Sequence, residues 1–217
     1  TAALGRALLG AVLLASQGKD GETLELRFRA RGPLGHIVAM ADCLGRARGY
    51  VANPGLDLPL RGERLDVARA VGLGELSVVR FRPGWKEPYT GIVPIVAGEI
   101  AEDIALYLTE SEQTPSAVGL GVFHEPDGAA AAAGGYLVQS LPGADDEIVK
   151  RVDANVKRLP SLSRFVRDGA SPADIVARLL EGVGRRDLEA SEPRFFCACD
   201  EARVLRAIAM LGRRDLE

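Results

Sequence analysis

The chain has 217 residues, 47% hydrophobic and 26% charged, a composition that fits one or two globular domains with ample material for a buried core. A net charge of -3 leaves no global positive field to gather phosphate backbones or anionic lipid, which argues against nucleic acid or a membrane surface as the main partner. The three cysteines, Cys43 alone and Cys197 and Cys199 one residue apart, are too few and too uneven for a secreted disulfide framework, and the Cys197/Cys199 pair points to metal or redox chemistry in a reducing compartment.

Residues 7–15 follow Arg6 and end near the small Ala15 and Ser16, a superficial likeness to a signal-peptide core. One basic residue, no initiating Met and a run too short to cross a bilayer favour a buried helix instead. Thr1 leads straight into this helical pattern and Leu216 and Glu217 follow closely on another, so both ends are expected to be trimmed. After a turn at residues 18–21, Leu24, Leu26, Phe28 and Ala30 alternate with Glu25, Arg27 and Arg29, the period of two of a half-buried strand. Gly32-Pro33 makes the next turn, and residues 37–42, 48–51, 75–81 and 89–96 read as further short strands of one locally connected sheet.

Ile100, Ile104, Tyr107 and Leu108 then recur at helical spacing behind Glu99, Glu102 and Asp103, where a helix dipole favours negative charge. Residues 116–123 and 131–141 flank turn residues and read as a glycine-rich antiparallel hairpin. An α+β core, a mixed sheet with packed helices, is expected over residues 1–143. A helical linker over 144–194 follows. Within it, Ile148, Val149, Val152, Val156 and Leu159 share a face after the acidic Asp145, Asp146 and Glu147, and a short helix fits 161–167. Ser171 is placed to cap the next helix and Pro172 to open it, while Ile175, Val176, Leu179, Leu180 and Val183 form its apolar stripe, ended by Gly182 and Gly184. Residues 185–193 are a charged connection, and 195–217 open a new unit.

The Cys197-x-Cys199 pair is the most pointed chemical feature, because two thiolates this close grip one soft or borderline cation from a single turn. A closed zinc site wants four ligands, so two are missing, and the alternative is an inert pair. Cys43, His36 and His124 lie on the sheet or in a hairpin turn and are expected to be ordinary residues there, with the absent ligands following Glu217. Gly72-Leu73-Gly74, Gly119-Leu120-Gly121 and Gly134-Gly135 lack the Walker lysine and the dinucleotide fingerprint; they mark bulges and close backbone approach. The polar run Ser111-Glu112-Gln113-Thr114-Pro115 is read as a helix end and turn rather than a catalytic loop, with no His placed by sequence to activate a hydroxyl. Arg203, Arg206, Arg213 and Arg214 give a C-terminal helix a basic, solvated edge.

Several ordered stretches resemble one family. They are residues 87–94 (EPYTGIVP), 98–103 (GEIAED), 111–122 (SEQTPSAVGLGV), 133–139 (AGGYLVQ) and 141–144 (LPGA), with 3–7 and 48–51 toward the start and Phe196-Cys197-Ala198-Cys199 with Leu211-Gly212 toward the end. The chain is similar over nearly its whole length to the 33 kDa chaperonin family. That resemblance implies an ATP-independent, cytoplasmic holdase that captures unfolding proteins under oxidative stress. It also implies that 195–217 are the start of a small zinc-binding redox domain, with zinc held by a Cys-x-Cys and a later Cys-x-x-Cys, of which Cys197 and Cys199 match the first pair and the second is absent from these residues. Oxidation would join Cys197 to Cys199, release zinc, unfold the small domain and uncover the stripe Ile175, Val176, Leu179, Leu180, Val183 to unfolded clients, with a homodimer forming in the oxidised state. The competing readings are a thiol oxidoreductase or peroxidase using Cys197 or Cys199, against which stands the lack of a Cys-x-x-Cys on a βαβ unit, and a zinc-bearing nucleic-acid module, against which stands the acidic balance.

Overall fold

The computed structural model describes residues 2–62, 65–125, 128–184 and 189–210. The first helix, α1 (Ala2–Ala15), is built from Ala and Leu with a single β-branched residue, a composition with high intrinsic helicity. It buries a small-residue face: Ala3, Ala7, Gly10, Ala11 and Leu14. Two sheets close on it. One has the strand order β5-β4-β1-β2-β3-β8, made of β1 (Thr23–Ala30), β2 (Ile37–Asp42), β3 (Arg46–Val51), β4 (Gly74–Phe81), β5 (Tyr89–Ile95) and β8 (Arg194–Phe195). Its neighbours are antiparallel except β3 and β8, which run parallel, so the sheet is mixed. The second is the hairpin of β6 (Ser116–His124) and β7 (Ala130–Gln139), with a register shift at Phe123/His124.

The period-two reading of the first strand is borne out, since Leu24, Leu26 and Phe28 are fully buried against α1. A short helix α2 (Val67–Val71), capped by Asp66, precedes β4 and was not legible, because five residues carry less than two turns of periodicity. Helix α3 (Ala101–Glu110) packs on β5, β4 and β6. The Asp103 carboxylate in its first turn is fully buried and accepts from the N–H groups of Val96, Ala97 and Gly98, each at 2.9 Å. It closes the strand-to-helix turn, in which Ile100 holds a left-handed φ of 70°. At the other end, Glu112 accepts from Arg80 at 2.7 Å and from the Tyr107 hydroxyl at 2.7 Å, so the polar run after α3 is a structural clasp onto β4. Burial, with the Glu112 carboxylate beside it, pushes the Tyr107 hydroxyl far above its ordinary value.

Beyond the hairpin the chain is helical: α4 (Asp146–Arg158), α5 (Leu162–Arg167), α6 (Pro172–Leu179) and, after β8, α7 (Glu201–Ala209). Asp145 caps α4 through Glu147 N–H at 2.8 Å, and Ser171 and Asp174 cap α6 reciprocally. The sequence stripe runs too long. Helix α6 stops at Leu179, where the N–H of Leu180 turns back to the carbonyls of Val176 and Arg178, so Val183 lies past the helix end and off its apolar face.

Replacing Asp103 with Ala strands three turn N–H groups inside the protein. The expected loss is about 3 kcal/mol, read as a lower urea midpoint at unchanged m-value.

Candidate functional site

The cysteine pair sits between β8 and α7. Strand β8 is held by main-chain bonds, Arg194 N–H to Gly45 O at 3.0 Å and Phe196 N–H to Ala47 O at 3.1 Å. That pairing carries the next residues along β3. The Arg46 guanidinium lies 4.8 Å from the centre of the Phe196 ring, and Arg48 Nη1 lies 3.7 Å from Cys197 Sγ. Past Cys199, Asp200 caps α7 by accepting from the Arg203 N–H at 2.6 Å. Both thiols are free and exposed to solvent.

A hydrogen bond from Cys199, with Arg48 adding a donor and positive charge, holds the Cys197 thiol below its ordinary range. The same bond pushes Cys199 above it. The two sulfurs therefore stand within hydrogen-bond reach of each other, with the Arg48 guanidinium beside Cys197. Adjacent, solvent-facing thiols also suit two corners of a tetrahedral zinc site. Among the described residues no group of three or more His, Cys, Asp or Glu side chains gathers around them. Cys43 is half-buried in the β2–β3 turn, His36 meets the Tyr50 ring edge-on at 5.7 Å, and His124 is held below its ordinary pKa by burial in the hairpin.

The second part of the site is the cover over the hairpin. Val118, Leu120 and Leu137 turn toward α1, while Tyr136 and Val138 pack with the linker residues Val156, Leu159, Phe165 and Val166 around buried Leu162, Ile175 and Leu179. The glycines make that contact close. A Cβ on Gly121 would lie 2.6 Å from Ser163 N, and one on Gly134 would lie 2.6 Å from Val166 Cγ2, so the reading of these glycines as places of close approach is borne out. Arg167 stacks 4.8 Å from the centre of the Phe123 ring. Buried Asn155 donates to the carbonyls of Leu179 at 3.0 Å and Glu181 at 2.9 Å, tying α4 to the end of α6.

Of the expected stripe, Ile175 and Leu179 are buried and Val176 and Leu180 half-buried, with Val183 beyond the helix. The α4 face divides. Val152, Val156 and Leu159 are partly covered, but Ile148 and Val149 are 47% and 39% exposed. A cleft of about 290 Å³, lined by Arg6, Glu102, Tyr136 and Leu159 among others, runs along the seam between the hairpin and the helices that cover it. Sequence reasoning missed Arg46, Arg48 and Asn155 as participants. Asn155 had a local signal, a lone amide among the apolar residues of α4; the two arginines had none, because their partners lie some 149 residues away.

A family model described as Hsp33 protein matches residues 1–217. The chain is 44% identical over 216 residues to the 33 kDa chaperonin of Geobacter sulfurreducens, a match covering 100% of this chain and 72% of that protein. To the 33 kDa chaperonin of Symbiobacterium thermophilum it is 49% identical over 218 residues, covering 100% of this chain and 74% of the relative. The crystal structure of the 33 kDa chaperonin from Thermotoga maritima superposes with a TM-score of 0.92 at 38% identity, covering 99% of this chain and 73% of that one.

Because Arg48 favours the charged form of Cys197, its loss raises the thiol's pKa. In reduced, metal-free protein, Arg48→Met is expected to move the pH midpoint of Cys197 alkylation upward, and an unmoved midpoint would disconnect Arg48 from the thiol.

Proposed function

This chain belongs to the Hsp33 family of redox-regulated chaperones, which are not enzymes, and from that premise we propose that oxidation of Cys197 and Cys199 opens the linker and bares its apolar face to unfolding proteins. The carrying observation is the pairing of two exposed thiols with an apolar surface, Leu162, Ile175 and Leu179, that is closed over the hairpin.

The chemistry begins at the sulfurs. Cys197 thiolate attacks peroxide, the O–O bond breaks and a sulfenic acid forms with loss of hydroxide. Cys199 thiolate then displaces the second hydroxide, the Sγ–Sγ bond closes, and two solvent protons complete two waters. This pairing is the one the family resemblance implies. Zinc, when bound, keeps both sulfurs as thiolates and supplies folding energy to a small domain. Cys197 and Cys199 are the ligands this chain would contribute, and a disulfide between them removes both donors.

Closure of the linker is a small balance. Burying three aliphatic side chains contributes about 2 kcal/mol each, against about 1 kcal/mol or more for every backbone residue ordered. A cover with so small a core depends on its neighbours, so unfolding the adjacent redox segment shifts it toward the open state. The released face comprises Ile175, Val176, Leu179 and Leu180, with the hairpin's Tyr136 and Val138 and the already exposed Ile148 and Val149. Val183, half-buried past the end of α6, belongs with them only as a neighbour in the opened segment. The division into a core over residues 1–143, a linker over 144–194 and a redox segment over 195–217 follows from this reading, as does a homodimer formed through bared apolar surface after oxidation. A net charge of -3 speaks against nucleic acid, and among the described residues no helix is long and apolar enough to cross a membrane. The proposed setting is the cytoplasm, where both thiols stay reduced until stress.

Light scattering from a thermally unfolding client is expected to fall only after peroxide treatment of the full-length protein, without nucleotide; retained activation in a Cys197→Ser, Cys199→Ser variant would sink the assignment. Gly121→Val drives a side chain into the α5 backbone and is expected to suppress aggregation while still reduced. A reduced variant that stays idle although protease cuts its linker freely would remove the linker face from client binding.

A further inference from the structure

We propose that the outer edge of β3 is a second client-binding element, a strand acceptor that β8 occupies in the resting chain and that extended client backbone occupies after oxidation. The inference rests on the client-binding reading above and names how part of the client is held.

Strand β8 is bound as a peptide would be. It pairs with Arg46 and Ala47 through main-chain groups, and both its residues are exposed, Phe195 at 78%, so side-chain burial contributes little to its place on the sheet. Recognition of this kind reads backbone rather than sequence, which suits unfolded polypeptide of any composition. The acceptor is longer than its occupant: β3 continues through Arg48, Gly49, Tyr50 and Val51, where among the described residues β2 pairs with its inner side and no strand pairs with its outer side. The N–H of Ala52 donates to His36 O, and antiparallel alternation from that bond turns the main-chain groups of Val51, Gly49 and Ala47 outward. The bond from Phe196 to Ala47 O confirms the phase.

Open sheet edges invite pairing with other chains, and folded proteins normally block them. Here the guard is two residues long and lies just ahead of the redox pair. Phe196 stacks with Arg46 and Cys197 meets Arg48, so the contacts that flank the guard include a sulfur that oxidation converts from thiolate to uncharged disulfide. Losing that contact and the fold of the following segment leaves β8 with its few main-chain bonds and the Phe196–Arg46 stack, too little to hold a strand against competing chain.

Amide hydrogen exchange on the full-length protein tests this, with permanently unfolded carboxymethylated α-lactalbumin as probe. Oxidation is expected to speed exchange at Ala47 about tenfold, and the probe to restore that protection and extend it to Gly49 and Val51. Probe that co-elutes with oxidised protein while these amides stay fast overturns the edge proposal and leaves the linker reading standing. Protection regained without probe, in step with protein concentration, assigns the edge to a second copy and equally overturns it. No co-elution at all defeats the client-binding reading and this inference together.

Discussion

Helix α1 is covered by the six-stranded sheet on one side and by the β6–β7 hairpin on the other, and only a helix faced with Ala and Gly lets both approach. Gly10 is the tightest point, where a Cβ would stand 2.4 Å from Ile104 Cδ1 and within 3.6 Å of Leu120 and Leu26, side chains from α3 and from both sheets. A Cβ on Gly5 would stand 2.9 Å from Val122 Cγ2 of β6. Close packing of this kind makes the hairpin a fixed layer, because interiors at this density do not deform gradually.

The hairpin passes that order outward. Strand alternation gives it two faces, Val118, Leu120 and Leu137 toward α1 and Tyr136 and Val138 toward the linker, with glycines where helix α5 comes closest. The layers therefore weaken with distance from α1. The core cluster joins strands and helices throughout the first half of the chain, whereas the linker cluster rests on Leu162, Ile175 and Leu179 and is bordered by an open cleft. Opening costs least at that outer layer, where it would leave the core whole.

The redox segment reaches the same core by another route. Through β8 it lies on the β3 edge of the sheet, which places Arg48 against Cys197 and makes the core part of the thiol's electrostatic surroundings. Chemistry at the sulfurs and order at the sheet edge are thus neighbours in space, although α4, α5 and α6 separate them in sequence from the strands they touch.

Local pattern carried the first strand, the hairpin, the acidic and hydroxyl caps of α4 and α6, and the Cys197-x-Cys199 pair, because alternation, capping chemistry and ligand spacing are set by residues within a turn or two of each other. The same pattern located an apolar stripe on α6 without fixing its partner, and overran the helix end to Val183, since an apolar residue after a break looks the same as one before it. The ordered family stretches made the chaperone reading available from sequence, and the comparisons bear it out. Only the tertiary structure decided that Gly121 receives the backbone of Ser163, that Asn155 binds the end of α6, and that Arg48 stands beside Cys197. Those contacts join residues between 24 and 149 positions apart, and which distant surfaces meet is settled by the packing of whole layers rather than by any local period.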